Sequence, residues 1–491
     1  MELGGWQGFA WFGPELALGG TALVVRLLAF ARRLRKRGLG ELALLGASLS
    51  VFLAARLSGW GEVWIFGRLA IVDGFAVTLK VLVGLATVAV LWLSLESGEI
   101  REREEGRVSS LVLAAALGLY LMASAANLLI AYLSIELASL ASRAAMGGPG
   151  REPKDPSFVD LLSGAAASVA MIAGFSWIAG FAGFDYAAIN DAIVRFAPAS
   201  PPALPLAGAL IVAGFSCKVA TIAFRDPRPD TSRGGAATPL VAFVAVAFTA
   251  GSFALWIRFL DPTISRPGAG GSWIVPEGAA WQPLLLGASM VMMLVGSMAA
   301  LACRDVRHLL AWSSLAHVGT ALVGAASLDD NGLRWLLFYV AASSIANLGA
   351  FSVAASVTRA TGRYDLAAYR GLVYRRGFVP AAAMTIFLLS LAGLPPGVGF
   401  VAKLRLGSIA RDHEPLLFAV LVGASAVLLG GYARVIRRML VRTGDESAPP
   451  VRMNPYDGFL IALLVALVVA FGVYPTPLTD LVRRSIHFVQ W

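Results

Sequence analysis

Two lysines stand inside long apolar stretches. Gly214-Phe215-Ser216-Cys217-Lys218 and Gly399-Phe400-Val401-Ala402-Lys403 repeat the pattern Gly-Phe-x-x-Lys at an interval of 185 residues. A charge in hydrocarbon is expensive, so an ionisable side chain there reads as functional. Of 40 Lys and Arg only five are lysines, namely Lys36, Lys80, Lys154, Lys218 and Lys403, and three of the five fall inside apolar segments. Arginine does not release its proton in a protein, whereas a desolvated lysine can. The chain therefore uses Arg for loop charge and Lys where a proton could be exchanged. Glu136, in Leu133-Ser-Ile-Glu-Leu-Ala-Ser139, and His317, in Ala311-Trp-Ser-Ser-Leu-Ala-His-Val-Gly319, are titratable groups in the middle of two further segments. A carboxylate, an imidazole and two amines suit a proton relay. Ser313 and Ser314 lie a turn before the histidine, and Ser343 and Asn347, four apart on one helix face, could hold ordered water beside it. Lys80 is a secondary candidate, explained equally well by snorkelling or by neutralisation against a carboxylate. Asp160, near the start of its segment, suits an interfacial position.

The elements that must position these groups are membrane helices. At 58% hydrophobic residues, 14% charged and mean hydropathy +0.74, the chain is a polytopic membrane protein of the all-α class. About fourteen apolar windows are long enough to cross a bilayer, the seventh over 204–224 and the twelfth over 379–410. The Met1-Glu-Leu-Gly-Gly-Trp6 start lacks the basic region of a signal peptide, so the first window is expected to remain as a spanning helix. The run Arg32-Arg33-Leu34-Arg35-Lys36-Arg37 places the first loop in the cytoplasm and both termini outside. Trp60, Trp64, Trp273, Trp281 and Trp491 sit near predicted helix ends as interfacial anchors. Net charge +10 reflects cytoplasmic loops rather than nucleic-acid binding, and Cys217 and Cys303, both in apolar segments, suit neither a disulfide nor a metal site.

Five windows separate the two Gly-Phe-x-x-Lys patterns. Five is odd, so equivalent helices of two units would cross in opposite directions, the inverted-repeat plan of transporters. The expected organisation is one membrane domain: helices 1–3 over 1–107, a first repeat (helices 4–8) over 108–260, a second (helices 9–13) over 281–438, and helix 14 with a tail over 439–491. Helices 7 and 12 are expected to be broken. Pro395, Pro396, Gly397 and Gly399 carry the second break, just ahead of Lys403.

These motifs resemble the antiporter-like subunits of proton-pumping NADH:quinone oxidoreductase, respiratory complex I, and most of all its subunit N. The matching stretches are Gly13-Pro14-Glu15, Asp73-Gly-Phe75, Ser134-Ile-Glu136-Leu-Ala-Ser139, Arg307 through His317, Asn347-Leu-Gly-Ala-Phe351 and Ser390 through Lys403, in family order along nearly the whole chain. The resemblance implies that Glu136, Lys218, His317 and Lys403 translocate protons, driven by quinone reduction in other subunits. It implies a chain with no redox centre of its own, other membrane-arm subunits as partners, NADH, FMN, iron–sulfur clusters and quinone bound in partner subunits of the complex, and a bacterial cytoplasmic membrane as its place. The sequence departs from the family at Val159 and Thr249, where lysines are usual, and at Arg405, an added charge beside Lys403. A multisubunit cation/proton antiporter subunit, a membrane-bound hydrogenase homologue and a non-conducting structural subunit are the alternative readings.

Overall fold

The computed structural model describes residues 2–3, 6–31, 38–59, 61–147, 158–196, 203–223, 236–264, 281–441, 450–451 and 453–486. Strand β1 (Glu2–Leu3) and a short helix α1 (Trp6–Trp11) lead into α2 (Gly13–Phe30) and α3 (Leu39–Arg56). Strands β2 (Val63–Ile65) and β3 (Ala70–Val72) complete a small sheet of order β1-β2-β3, with β1 parallel and β3 antiparallel to β2. Then come α4 (Gly74–Glu96), α5 (Glu102–Ser124), α6 (Leu128–Met146), α7 (Phe158–Ala182), a short amphipathic α8 (Tyr186–Phe196) and α9 (Ala203–Ala223). The eighth span is one rod built from α10 (Thr238–Phe243), a π-helical turn (Val244–Phe248) and α11 (Thr249–Ile264). The remainder is α12 (Trp281–Ala302), α13 (Val306–Ala326), α14 (Asp330–Thr361), α15 (Phe378–Ala392), α16 (Val398–His413), α17 (Pro415–Leu440), α18 (Pro455–Val473) and an amphipathic α19 (Thr476–Ser485). Among the described residues twelve helices are long and apolar enough to cross a membrane, and the shorter Leu204–Ala220 and Phe378–Ala392 bring the number to the expected fourteen.

Local chemistry sets where the helices begin. Asp73 and Asp329 accept the N–H groups of Ala76 and Gly332 at 2.8 and 2.7 Å, and Pro14, Pro239, Pro415 and Pro455 occupy first turns, where the missing donor costs nothing. Burial then sorts the rods. In α13 94% of the apolar window is buried and in α14 89%, against 22% in α2 and α18. The first pair forms the protein core, and the second presents apolar faces suited to lipid.

One junction occurs twice. Ahead of α6, Asn127 bridges Asp185, with Leu128 N–H donating to Phe184 O at 3.0 Å and Tyr186 N–H to Ala126 O at 3.4 Å. Ahead of α13, Asp305 bridges Asp365, with Val306 N–H donating to Tyr364 O at 3.3 Å and Leu366 N–H to Arg304 O at 3.0 Å. Five spans apart, these junctions lie at opposite ends of the bundle.

Two expectations change. The seventh helix is not broken: α9 runs without interruption from Ala203 to Ala223, past Gly208 and Gly214. Glycine weakens a helix by only about 1 kcal/mol, and Pro205 sits in the first turn. The twelfth helix is broken as expected, between α15 and α16, because Pro395 and Pro396 remove donors and clash with the preceding turn. Trp281 is no interfacial anchor either. It is fully buried, its ring lies edge-on to Phe259 at 5.4 Å, and a Cβ at Gly208 would press on it. Trp64 lies on β2 under the Arg68 guanidinium, while Trp60, Trp273 and Trp491 fall outside the described residues.

Candidate functional site

The first lysine is paired. Lys218, on α9, places Nζ 2.5 Å from Glu136 Oε1 on α6 and 3.5 Å from the Ser139 hydroxyl. The lysine side chain is 1% exposed and the glutamate 16%, and the hydroxyls of Ser168 and Tyr132 also reach the carboxylate. Gly214 lets α9 approach α7, since a Cβ there would lie 2.7 Å from Ala167 O. The glycine and the lysine of the motif thus do different things: one closes the helix pair and the other delivers the charge.

The second lysine faces neutral oxygens. Lys403 Nζ, on α16, donates to Leu391 O at 2.9 Å, Ala392 O at 3.1 Å and the Ser425 hydroxyl at 3.2 Å, and among the described residues no carboxylate lies within 4 Å. The two carbonyls close α15 and are orphaned because the helix stops there. They also carry the negative end of its dipole. Gly393 makes the stop by adopting a left-handed conformation (φ 89°), and the Ser390 hydroxyl accepts the Gly399 N–H at 3.2 Å across the gap. A Cβ on Gly399 would collide with the Ser390 carbonyl. The break therefore creates the acceptors that hold the lysine. Arg405 points elsewhere, exposed and stacked 5.3 Å over the Trp335 ring.

Between the lysines lies His317, on α13. Its Nδ1 is hydrogen-bonded to the Tyr339 hydroxyl at 2.7 Å and its Nε2 to the Tyr432 hydroxyl at 3.2 Å. Ser313 and Ser314 donate to Leu310 O, Ser313 also reaches Tyr432, and the Asn347 amide donates to Ser314 at 3.3 Å. A cavity of about 10 Å³ adjoins the imidazole, the room of roughly one water molecule. Its polar lining is Thr249, Ser314, His317, Ser343, Ser344 and Asn347. Thr249, which stands where the family resemblance leads one to expect lysine, thus faces the histidine across one small space. Its hydroxyl donates to Val244 O at 3.1 Å, five residues back, where the π-helical turn opens the backbone.

Lys80 is not brought to this row. It pairs with Glu15 at 2.6 Å, both side chains fully buried, in the bundle of the first four spans. Asp160 and Val159 lie on α7, with side chains outside the described residues. Sequence reasoning missed Tyr339, Tyr432 and Ser425. A tyrosine in an apolar segment needs a partner for its hydroxyl, and that signal was available for both tyrosines. It also missed the buried pair of Arg258 with Asp73 at 2.6 Å, where Arg258 also donates to Ala123 O at 3.0 Å.

A further cluster lies at the arginine-rich end of the bundle. Arg307 spans Ala236 O at 2.7 Å and Asp305 at 2.9 Å, with its guanidinium 3.3 Å above the Tyr364 ring. Burial alone would raise the Asp305 carboxyl. The hydrogen bond from His308 and the charge and hydrogen bonds of Arg307 outweigh it and hold the group at about 2. Glu99, between α4 and α5, accepts the Thr238 N–H at 2.8 Å, and burial pushes its carboxyl above the ordinary range against the lowering effects of Thr238, Arg307 and Tyr364.

Residues 125–429, more than half of the chain, match the family described as NADH:quinone oxidoreductase/Mrp antiporter, transmembrane. The chain is 34% identical to NADH-quinone oxidoreductase subunit N 2 of Chloroherpeton thalassium, over 97% of this chain and 94% of that one. Its fold is similar to a chain of respiratory complex I from Thermus thermophilus with bound aureothin (TM-score 0.73, 26% identity, 95% and 98% of the two chains). It is also similar in fold to a chain of an archaeal membrane-bound sulfane sulfur reductase (TM-score 0.79, 20% identity, 97% of each chain). The chain belongs to the NADH:quinone oxidoreductase/Mrp antiporter transmembrane family, as a member of its subunit N type.

Proposed function

We propose that this chain is a proton-translocating membrane-arm subunit of an NADH:quinone oxidoreductase. Protons move through Glu136, Lys218, His317 and Lys403, with Thr249, Ser314, Ser343 and Asn347 supporting the passage past the histidine. Quinone reduction in partner subunits drives the changes of protonation, and those subunits hold the NADH, FMN, iron–sulfur and quinone sites, while this chain carries no redox centre. It spans a bacterial cytoplasmic membrane with both termini on the outer side, organised as helices 1–3, two inverted units (helices 4–8 and 9–13) and helix 14. The recurrent junctions at Asn127 and Asp305 support that organisation.

The observation that carries the reading is the cavity shared by Thr249 and His317. It supplies a polar step of about one water where the lysine of the eighth helix is missing, so the row from Glu136 to Lys403 has no charged member there and still has donors and acceptors. Coulomb coupling across a low-dielectric interior then lets a charge change at one site alter the cost of protonating the next. Lys403→Ala removes the end of the row. In proteoliposomes holding the whole complex, the expected result is fewer protons pumped per NADH oxidised, and an unchanged ratio rejects the reading.

A further inference from the structure

The rods that carry Thr249 and His317, α10 with its continuation and α13, begin at the arginine-rich end of the bundle. Three carboxylates stand there, of which Asp365, bridged to Asp305, has an exposed side chain that pairs with Arg363 at 2.7 Å. Asp305 is fully engaged by Arg307, His308 and the Arg307 N–H. Glu99 is engaged on one oxygen only. Oε2 accepts the Thr238 N–H at 2.8 Å and lies 3.5 Å from the Tyr364 hydroxyl, whereas Oε1 is buried with no hydrogen-bond partner. The residue itself is half-buried and follows the exposed Gly98, so it stands at the boundary between the interior and the adjoining aqueous phase.

We infer that Glu99 is the proton-accepting carboxylate of this end: Oε1 takes a proton from the adjoining aqueous phase and gives it up toward the Thr249–His317 cavity. The inference rests on the proposed translocation. The step forms and breaks only an O–H bond, and it uses the oxygen that the helix does not. Oε2 keeps the cap on α10 in both protonation states, so loading a proton does not require the helix to move. The N-terminal dipole of α10 favours the carboxylate, as does Arg307 on the start of α13. Tyr364 and the buried Tyr369, from the segment after α14, stand near the carboxylate, and Asp305 pairs with Arg307 at 2.9 Å. An acid held between these influences can take and release a proton with small changes of its surroundings.

The test uses the whole complex in proteoliposomes. In Glu99→Gln the amide oxygen can still accept the Thr238 N–H but no longer titrates; in Glu99→Ala the cap is lost as well. The expected result is that both variants pump several-fold fewer protons per NADH, and that Glu99→Gln loses the pH dependence of pumping set from this side. Wild-type pumping and pH profile in Glu99→Gln overturn the inference, and if Glu99→Ala alone fails, Glu99 is a helix cap only. Should Glu99→Gln not assemble, Glu99→Asp keeps a titrating group at a new distance, and an unshifted pH profile in that variant overturns it equally. Lys403→Ala measured alongside separates the two proposals, because normal pumping there rejects the translocation reading itself.

Discussion

Lys218 and Lys403 end the same five-residue pattern, yet Lys218 faces the Glu136 carboxylate at 2.5 Å and Lys403 faces two main-chain carbonyls and a hydroxyl. The backbone explains the difference. In the first unit α9 is continuous, so its carbonyls are used within the helix, and the charge must be met by a side chain from α6. In the second unit Pro395 and Pro396 end α15 early, and the carbonyls released at its end serve as ligands. One lysine is tied to the protonation of a partner acid, and the other is not.

Removing one member of a buried pair leaves an uncompensated charge, at a cost of about 3–5 kcal/mol. Glu136→Gln and Lys218→Met should each destabilise the detergent-solubilised protein on that scale, while the double variant loses clearly less than the sum. Lys403→Met should cost less than Lys218→Met, since it strands no carboxylate. Chemical denaturation of the four variants measures this, and equal losses for the two lysine variants would break the comparison.

The recurrent junctions sharpen it further, because they differ in charge. Asn127 caps α6 by accepting the Leu129 N–H at 2.8 Å, and Asp305 caps α13 by accepting the Arg307 N–H at 2.7 Å. Only the second titrates. Its folded value of about 2 lies below the ordinary 3.8. The stabilisation, about 2 kcal/mol, is therefore complete above the unfolded value and is lost as pH falls from about 4 through 2. The thermal midpoint of the wild type should drop over that interval, and Asp305→Asn should flatten the drop. Asn127→Asp should introduce no comparable dependence unless basic groups gather around it as Arg307 and His308 do around Asp305.

Much of this was legible in the sequence because it is written in local patterns. Among the described residues twelve of the fourteen apolar windows became helices long and apolar enough to span, the seventh and twelfth became shorter apolar helices, the paired prolines broke the twelfth, and Glu136, Lys218, His317 and Lys403 stood out as charges or imidazole in apolar runs. What could not be read is where side chains meet across the bundle. Lys80 looked like a relay candidate until α2 brought Glu15 against it, and Thr249 looked like a gap until the π-helical turn and α14 closed a cavity around it. The seventh helix stays whole because Gly208 and Gly214 lack the paired prolines that break the twelfth.

The smallest expected effect concerns Ser425. Its hydroxyl is one of three acceptors around Lys403, and unlike the two carbonyls it can be removed without disturbing the helix break. Deleting one neutral acceptor while two remain should cost about 1 kcal/mol of stability. Ser425→Ala should therefore leave the fold intact and change pumping far less than Glu136→Gln, which removes the carboxylate that pairs with Lys218. If Ser425→Ala instead abolishes pumping while the protein stays folded, the hydroxyl is a member of the proton path and not merely a ligand of the ammonium. The two lysine sites would then share the feature that now separates them, a side-chain partner from a neighbouring helix that must exchange with the lysine for it to work.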